Sequence, residues 1–465
     1  MEFPTTDALN AALKPCAQVT ASGLQVKDWP AFREGLIDRL AWNAAFAADG
    51  GVRDASRWLC RAAAHAQGAF AASIHELYMA RGKEQHTGFT VPAINIRGMT
   101  YDVARAIFRT AIKINAGPVI FEIARSEIGY TLQRPAEYAS VIFAAACKEG
   151  WTGPVFVQGD HFQTNAKKFA ADPAKESAEI TKLIDEAVPA GFYNIDIDTS
   201  TLVDLKYPTV SEQQKANYAN CATFTRHIRG LEPKGVTVSV GGEIGEVGYQ
   251  NSTVEELCAF MDGYRASLPA GLAGISKMSV QTGTSHGGIP LPDGTVAKVD
   301  IDFKTLQAIS EAARAKYGIG GAVQHGASTL PENLFDQFPK TTTLEIHLAT
   351  EFQNMMLDHP KFPEDLREKM FAWCRENCQD EAKPGQTDKQ FVYKTRKKAW
   401  GPFRRQVWEL PEASKAAIRA TLEAKFESLF RKLSLAGTRG ALEAIRHPKV
   451  LPAAPTALAG KAAGS

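Results

Sequence analysis

Pro154-Val155-Phe156-Val157-Gln158-Gly159-Asp160-His161-Phe162-Gln163 opens as a β-branched and aromatic run and ends in a glycine followed by an acid and an imidazole. Such a short apolar run suits a strand buried on both faces. The same pattern recurs to either side. Upstream lie Thr90 to Ile96 and Pro118 to Ile123. Downstream lie Tyr193 to Ile197, Val236 to Val240, Ile275 to Val280, Ala322 to Gln324 and Leu344 to Leu348. Helix-forming sequence fills the gaps, as at Thr100 to Asn115, Tyr138 to Lys148, Lys175 to Val188, Ser211 to Arg229, Thr253 to Ala266 and Asp302 to Lys316. Eight strands alternating with helices predict a parallel sheet. At this length they predict an α/β fold of the closed (β/α)8 TIM-barrel type over residues 86–360 rather than an open, doubly wound sheet.

The flanks read differently. Residues 1–85 are expected to form an N-terminal helical extension, with Ala41 to Ala72 rich in Ala, Arg, Trp and Leu at helical spacing. Residues 361–450 form a C-terminal helical extension, with helices at Pro363 to Glu376 and Glu412 to Leu433. Residues 451–465, mostly Ala, Gly and Pro, read as a disordered tail.

Composition narrows the function classes. With 45% hydrophobic and 22% charged residues, the 465-residue chain can bury a core. A net charge of +2 gives no global field for nucleic acid, so an anionic ligand must be held by local groups. No apolar run is long enough for a membrane span, and Met1-Glu2-Phe3-Pro4 does not begin a secretory signal. Seven scattered cysteines, an odd count, suggest reduced thiols and a cytoplasmic location.

In a barrel enzyme the chemistry sits where the strands end. Strand three ends at Asp160-His161, strand four at Asp198-Thr199-Ser200 and strand five at Gly242-Glu243. Strand six runs to Ser285-His286-Gly287-Gly288, strand seven to His325-Gly326-Ala327-Ser328, and strand eight to His347-Leu348-Ala349-Thr350-Glu351. His161, His286 and His325 come from three different strand ends. Three neutral imidazoles suit a catalytic Zn²⁺ with an open position for substrate oxygens. Asp160 could carry a proton or orient a ligand. The glycines beside His286 and His325 let backbone N–H groups approach an anion, and Ser328 adds a hydroxyl, so these loops suit a phosphate.

The order and spacing of these pieces resemble the class II, zinc-dependent ketose-bisphosphate aldolases. The resemblance starts at Phe89-Thr90-Val91-Pro92-Ala93-Ile94-Asn95 and continues through Gly159-Asp160-His161, Asp198-Thr199-Ser200, Glu243-Ile244-Gly245, Ser285-His286-Gly287, His325-Gly326-Ala327-Ser328 and Ala349-Thr350-Glu351. It implies that His161, His286 and His325 ligate the zinc and that Asp160 moves a proton at the C4 oxygen. It implies a second or resting divalent metal at Asp198 and Glu243. Gly287, Gly326, Ser328 and Thr350 match a cradle for the dihydroxyacetone-phosphate end, and Asn95 matches a residue near the substrate. Lys397-Lys398-Ala399-Trp400-Gly401-Pro402-Phe403-Arg404-Arg405 resembles the segment that lends an Arg to a neighbouring subunit. Arg404 or Arg405 would then grip a second phosphate, which implies a homodimer or homotetramer.

Two departures stand beside the resemblance. His347 takes a substrate-side position where the family places an Asn. The stretch after strand five, Gly245-Glu246-Val247-Gly248-Tyr249-Gln250-Asn251-Ser252, is short, and Glu246 is its one obvious carboxylate. Glu246 is therefore the candidate for protonating the enediolate formed when the C3–C4 bond breaks. The resulting expectation is a zinc-dependent aldolase acting on a ketose phosphate or bisphosphate, a small-molecule substrate, with no nucleic-acid or membrane partner. The alternatives are a non-catalytic aldolase-like subunit that stabilises a catalytic partner, or another metal-dependent sugar-phosphate enzyme.

Overall fold

In the computed structural model, residues 1–245, 250–283 and 301–459 are described. Eight strands follow in chain order: β1 (Val91–Asn95), β2 (Ile120–Ala124), β3 (Gly153–Gln163), β4 (Asn194–Asp198), β5 (Ser239–Glu243), β6 (Lys277–Val280), β7 (Ala322–Gln324) and β8 (Glu345–Leu348). Each pairs in parallel with the next, and β8 pairs with β1 through Ile346↔Pro92, so the sheet closes on itself. Nearly every strand residue is buried, since the outer face is covered by helices and the inner face by other strands. The expected (β/α)8 barrel is therefore the observed one.

The connecting helices fall where the apolar spacing placed them, with ends set by local chemistry. Thr209 and Glu212 form a capping box at the start of Val210–Leu231, and Thr253 and Glu256 do the same for Val254–Ser267. Gly191 ends Pro173–Ala190 at φ 101°, a left-handed conformation that glycine takes without steric cost.

Two strands differ from the sequence reading. β5 lies three residues further on than expected and contains Gly241 and Gly242, which read as loop punctuation. Gly241 is a glycine because the barrel interior leaves no room there for a side chain: a Cβ would stand 2.3 Å from Asp196 Oδ1. β3 runs past Gly159 to Gln163, so Asp160 and His161 lie within the strand. A register irregularity between Gly159 and Phe162, together with φ 39° at His161, turns the chain there. This lets two adjacent side chains reach the same mouth, although neighbours in a regular strand point to opposite faces.

The flanks are only partly as expected. The N-terminal segment contains helices Ile37–Phe46 and Gly50–Gln67 but also a hairpin, Ala17–Thr20 with Gly23–Val26, and a strand, Ala69–Ala71, added in parallel to β3. Runs this short carry too little periodicity to be read. Helix His75–Arg81 places the Tyr78 hydroxyl on Glu345, inside the barrel. The C-terminal helix Glu412–Lys432 sits against Thr100–Lys113, where Arg419 pairs with Asp102. The expected disordered tail is seated through residue 459. Trp58 Nε1 donates to Pro452 O at 2.9 Å and Leu458 is buried; residues 460–465 lie outside the described residues.

Candidate active site

The C-terminal strand ends surround a cleft of 550 Å³. β3 brings Asp160 and His161, the turn after β7 brings His325, and β8 brings His347. The His161 and His325 rings are 4.2 Å apart between centroids, and those of His325 and His347 4.0 Å. Asp160 Oδ1 lies 3.4 Å from His325 Nε2, 3.7 Å from His161 Nε2 and 3.2 Å from His347 Nδ1. Asp160, His161 and His325 each offer one ligand atom, all within 4.8 Å of one another. That donor set of imidazole and carboxylate fits a divalent transition metal.

Behind this group, Asp198 Oδ2 and Glu243 Oε2 face His161 Nδ1 at 3.0 and 3.1 Å. Asp198 is itself fixed by Gln163 Nε2 at 2.6 Å and by the Ser200 hydroxyl at 2.7 Å. Burial opposes the charge on Asp198, but the His161 ring and these donors hold its carboxyl below the usual range. Burial and the neighbouring Asp160 push the Glu122 carboxyl up to about 8.

Asn95, Gly326, Ser328 and Thr350 line the same cleft. Asn95 Nδ2 donates to Glu127 Oε2 at 2.5 Å. Gly326 takes φ 70°, which opens its backbone to the cleft without steric cost. Ser328 Oγ accepts from Ala349 N at 2.7 Å, which leaves its O–H to donate. Glu246, His286 and Gly287 lie outside the described residues.

Arg404 and Arg405 are not in this chain's cleft. Arg404 Nη2 reaches Glu137 Oε2 and Ala45 O, both at 2.9 Å, and its guanidinium stacks on Phe46. Arg405 pairs with Glu409 at 3.0 Å and covers Trp42. Arg404 is thus committed to a buried carboxylate of its own chain. Arg404→Ala is expected to lower unfolding stability by about 1–3 kcal/mol, because Glu137 loses a charged donor. Urea denaturation checks this, and an unchanged midpoint would mean that the pair adds nothing to the fold.

The sequence reading passed over several residues that the structure brings here. Arg97, Arg125, Lys168 and Lys397 line the cleft and supply positive charge. Beneath it, Lys277 Nζ meets Gln158 Oε1 at 2.8 Å, Asp196 Oδ1 at 2.9 Å and Glu345 Oε1 at 2.6 Å. Each of these three partners interrupts an apolar strand, which is the one signal that could have marked them as facing the barrel interior.

The family model for class-II fructose-bisphosphate aldolase matches residues 79–421. The chain belongs to the class II fructose-bisphosphate aldolase family. The match takes in the whole barrel and most of the C-terminal extension. No curated protein matches. Among solved structures, a probable tagatose 6 phosphate kinase from Sinorhizobium meliloti 1021 aligns with a TM-score of 0.53 at 18% identity, covering 76% of this chain and 98% of that one. Fructuronate-tagaturonate epimerase UxaE from Cohnella laeviribosi aligns with a TM-score of 0.55 at 10% identity, covering 91% of this chain and 90% of that one. At such identities these likenesses show the fold. Membership of the aldolase family makes metal dependence the ordinary expectation for the Asp160–His161–His325 group. Among the described residues, no helix is long and apolar enough to cross a membrane.

Proposed function

We propose that the protein is a zinc-dependent aldolase that cleaves and re-forms the C3–C4 bond of a ketose phosphate or bisphosphate, with dihydroxyacetone phosphate as one product. The observation that carries this reading is the convergence of Asp160, His161 and His325 ligand atoms on the floor of the cleft. His161 and His325 would hold the ion, joined by His286 as the family resemblance implies. Bound there, a divalent ion would polarise the ketone and stabilise the charge left on C3.

The remaining work falls to the chain's own groups. Asp160, beside these imidazoles, takes the proton from the C4 hydroxyl as the bond breaks and returns it in the reverse direction. Burial opposes its charge, yet the His161 and His347 rings hold its carboxyl well below the usual range, so it is ionised. The Gly326 backbone, the Ser328 hydroxyl and Thr350 receive the phosphate. Arg97, Arg125 and Lys397 on the cleft wall favour an anionic substrate over a neutral sugar.

The test is a coupled assay of triose phosphate release from fructose-1,6-bisphosphate and tagatose-1,6-bisphosphate, with metal content measured on the same sample. Chelator-sensitive release that returns on adding Zn²⁺ is expected. Bound metal without release from either substrate would point to another sugar phosphate and a different proton donor. Absence of both metal and release would favour a non-catalytic subunit.

A further inference from the structure

His347 stands in a buried group with Asp160 and Glu122, and the aldolase reading gives no ligand role to His347 or Glu122. Its Nε2 lies 2.6 Å from Glu345 Oε1, and Glu345 is held in turn by the Tyr78 hydroxyl and by Lys277 Nζ. A carboxylate so placed accepts the Nε2 proton, and in a ring that carries only that proton Nδ1 is a lone-pair donor. That nitrogen lies 3.0 Å from Glu122 Oε2 and 3.2 Å from Asp160 Oδ1. It makes no hydrogen bond of acceptable angle to either oxygen, and Asp160 Oδ1 likewise has no hydrogen-bond partner. All three side chains are at least nine-tenths buried, with exposures of 1% for Glu122, 5% for Asp160 and 4% for His347.

Three lone-pair donors facing one another out of water repel unless a proton or a cation lies among them. Two donors at about 2.1 Å from one ion, set at right angles around it, stand about 3 Å apart. That is the spacing found. The outer contact fits too, because a metal-ligating histidine ordinarily donates its other N–H to a carboxylate. Asp196, Asp198 and Glu243 add further buried carboxylates nearby, so the region is rich in negative charge.

We propose that Glu122, Asp160 and His347 hold a second divalent cation, with Asp160 shared between it and the His161–His325 side. One imidazole and two carboxylates suit Zn²⁺ or Mn²⁺. This site differs from the Asp198–Glu243 position that the family resemblance implies. Asp160 Oδ2 remains for proton transfer. The inference rests on the metal reading of His161 and His325 only for the sharing of Asp160.

The experiment uses the full chain, stripped with chelator and reloaded with Mn²⁺. Ions per chain are counted by elemental analysis and their coupling is read by electron paramagnetic resonance. The wild type is expected to take up two ions with a spin-coupled spectrum. Glu122→Gln, nearly isosteric, is expected to halve the count and give an uncoupled spectrum while circular dichroism stays unchanged. A wild type that saturates at one uncoupled ion overturns the proposal, with a proton on Nδ1 making His347 an imidazolium between its two acids. A Glu122→Gln protein that keeps two ions also overturns it, by placing the second ion elsewhere. If that variant does not fold, Glu122→Asp, which draws the carboxylate back from Nδ1, is expected to lose the same ion and the coupling. Neither readout needs turnover, so two coupled ions in a protein that releases no triose phosphate would point to another sugar phosphate as substrate and leave this site standing.

Discussion

Lys277→Met is expected to destabilise the fold by about 3–5 kcal/mol, on the order of a thousandfold in the folding equilibrium. The Lys277 side chain is fully buried in the barrel, and its ammonium faces Asp196 and Glu345 at 2.9 and 2.6 Å. Removing the ammonium strands two carboxylates where water does not reach. Met keeps the stem's volume and adds no cavity of note, so the loss reports the charge and not the packing. Glu345 keeps the Tyr78 hydroxyl and His347 Nε2, which softens the effect on that side. Asp196 also has the more distant His347 Nε2 at 3.8 Å. Urea denaturation measures the loss. Adding Asp196→Asn to Lys277→Met is expected to recover part of it, because the stranded charge is then gone. A Lys277→Met protein as stable as the wild type would mean that these carboxylates are compensated by something other than the lysine.

The barrel was legible because its strands are short, rich in apolar residues and separated by capped amphipathic helices, so each unit announces itself locally. Mouth residues were legible for the same reason: once the strand ends are placed, Asp160, His161, Asp198, Glu243 and His325 fall together without any local motif. The charged interior was not. Glu122, Asp196, Lys277 and Glu345 are single residues in different strands, and only closure of the sheet makes them neighbours. The hidden geometry at residue 161 follows the same logic. A positive φ at His161 and an irregular register beside it depend on pairing between β3 and β4, which no local window contains. The intrachain partner of Arg404 was not legible, because a basic cluster does not reveal which acid it faces. Its partner Glu137 is 267 positions away in the chain.

His161→Ala is expected to abolish metal retention and to lower cleavage by on the order of 10³ or more, since the charge developing on the substrate loses its main stabiliser. The ring's orientation supports a sharper statement. Nδ1 sits between Asp198 Oδ2 at 3.0 Å and Glu243 Oε2 at 3.1 Å, which places the N–H there and turns Nε2 towards Asp160 and the His325 ring. The two carboxylates therefore set the tautomer and aim of His161. Asp198→Asn, which weakens that hold without touching Nε2, is expected to cost 10–100-fold in metal affinity, the usual effect of losing a ligand's supporting acid. Equilibrium dialysis with Zn²⁺ and the coupled assay on both variants make the comparison. Asp198→Asn losing metal as completely as His161→Ala would make Asp198 a direct ligand. A His161→Ala protein with full zinc and full rate would remove the metal centre from the β3 end altogether.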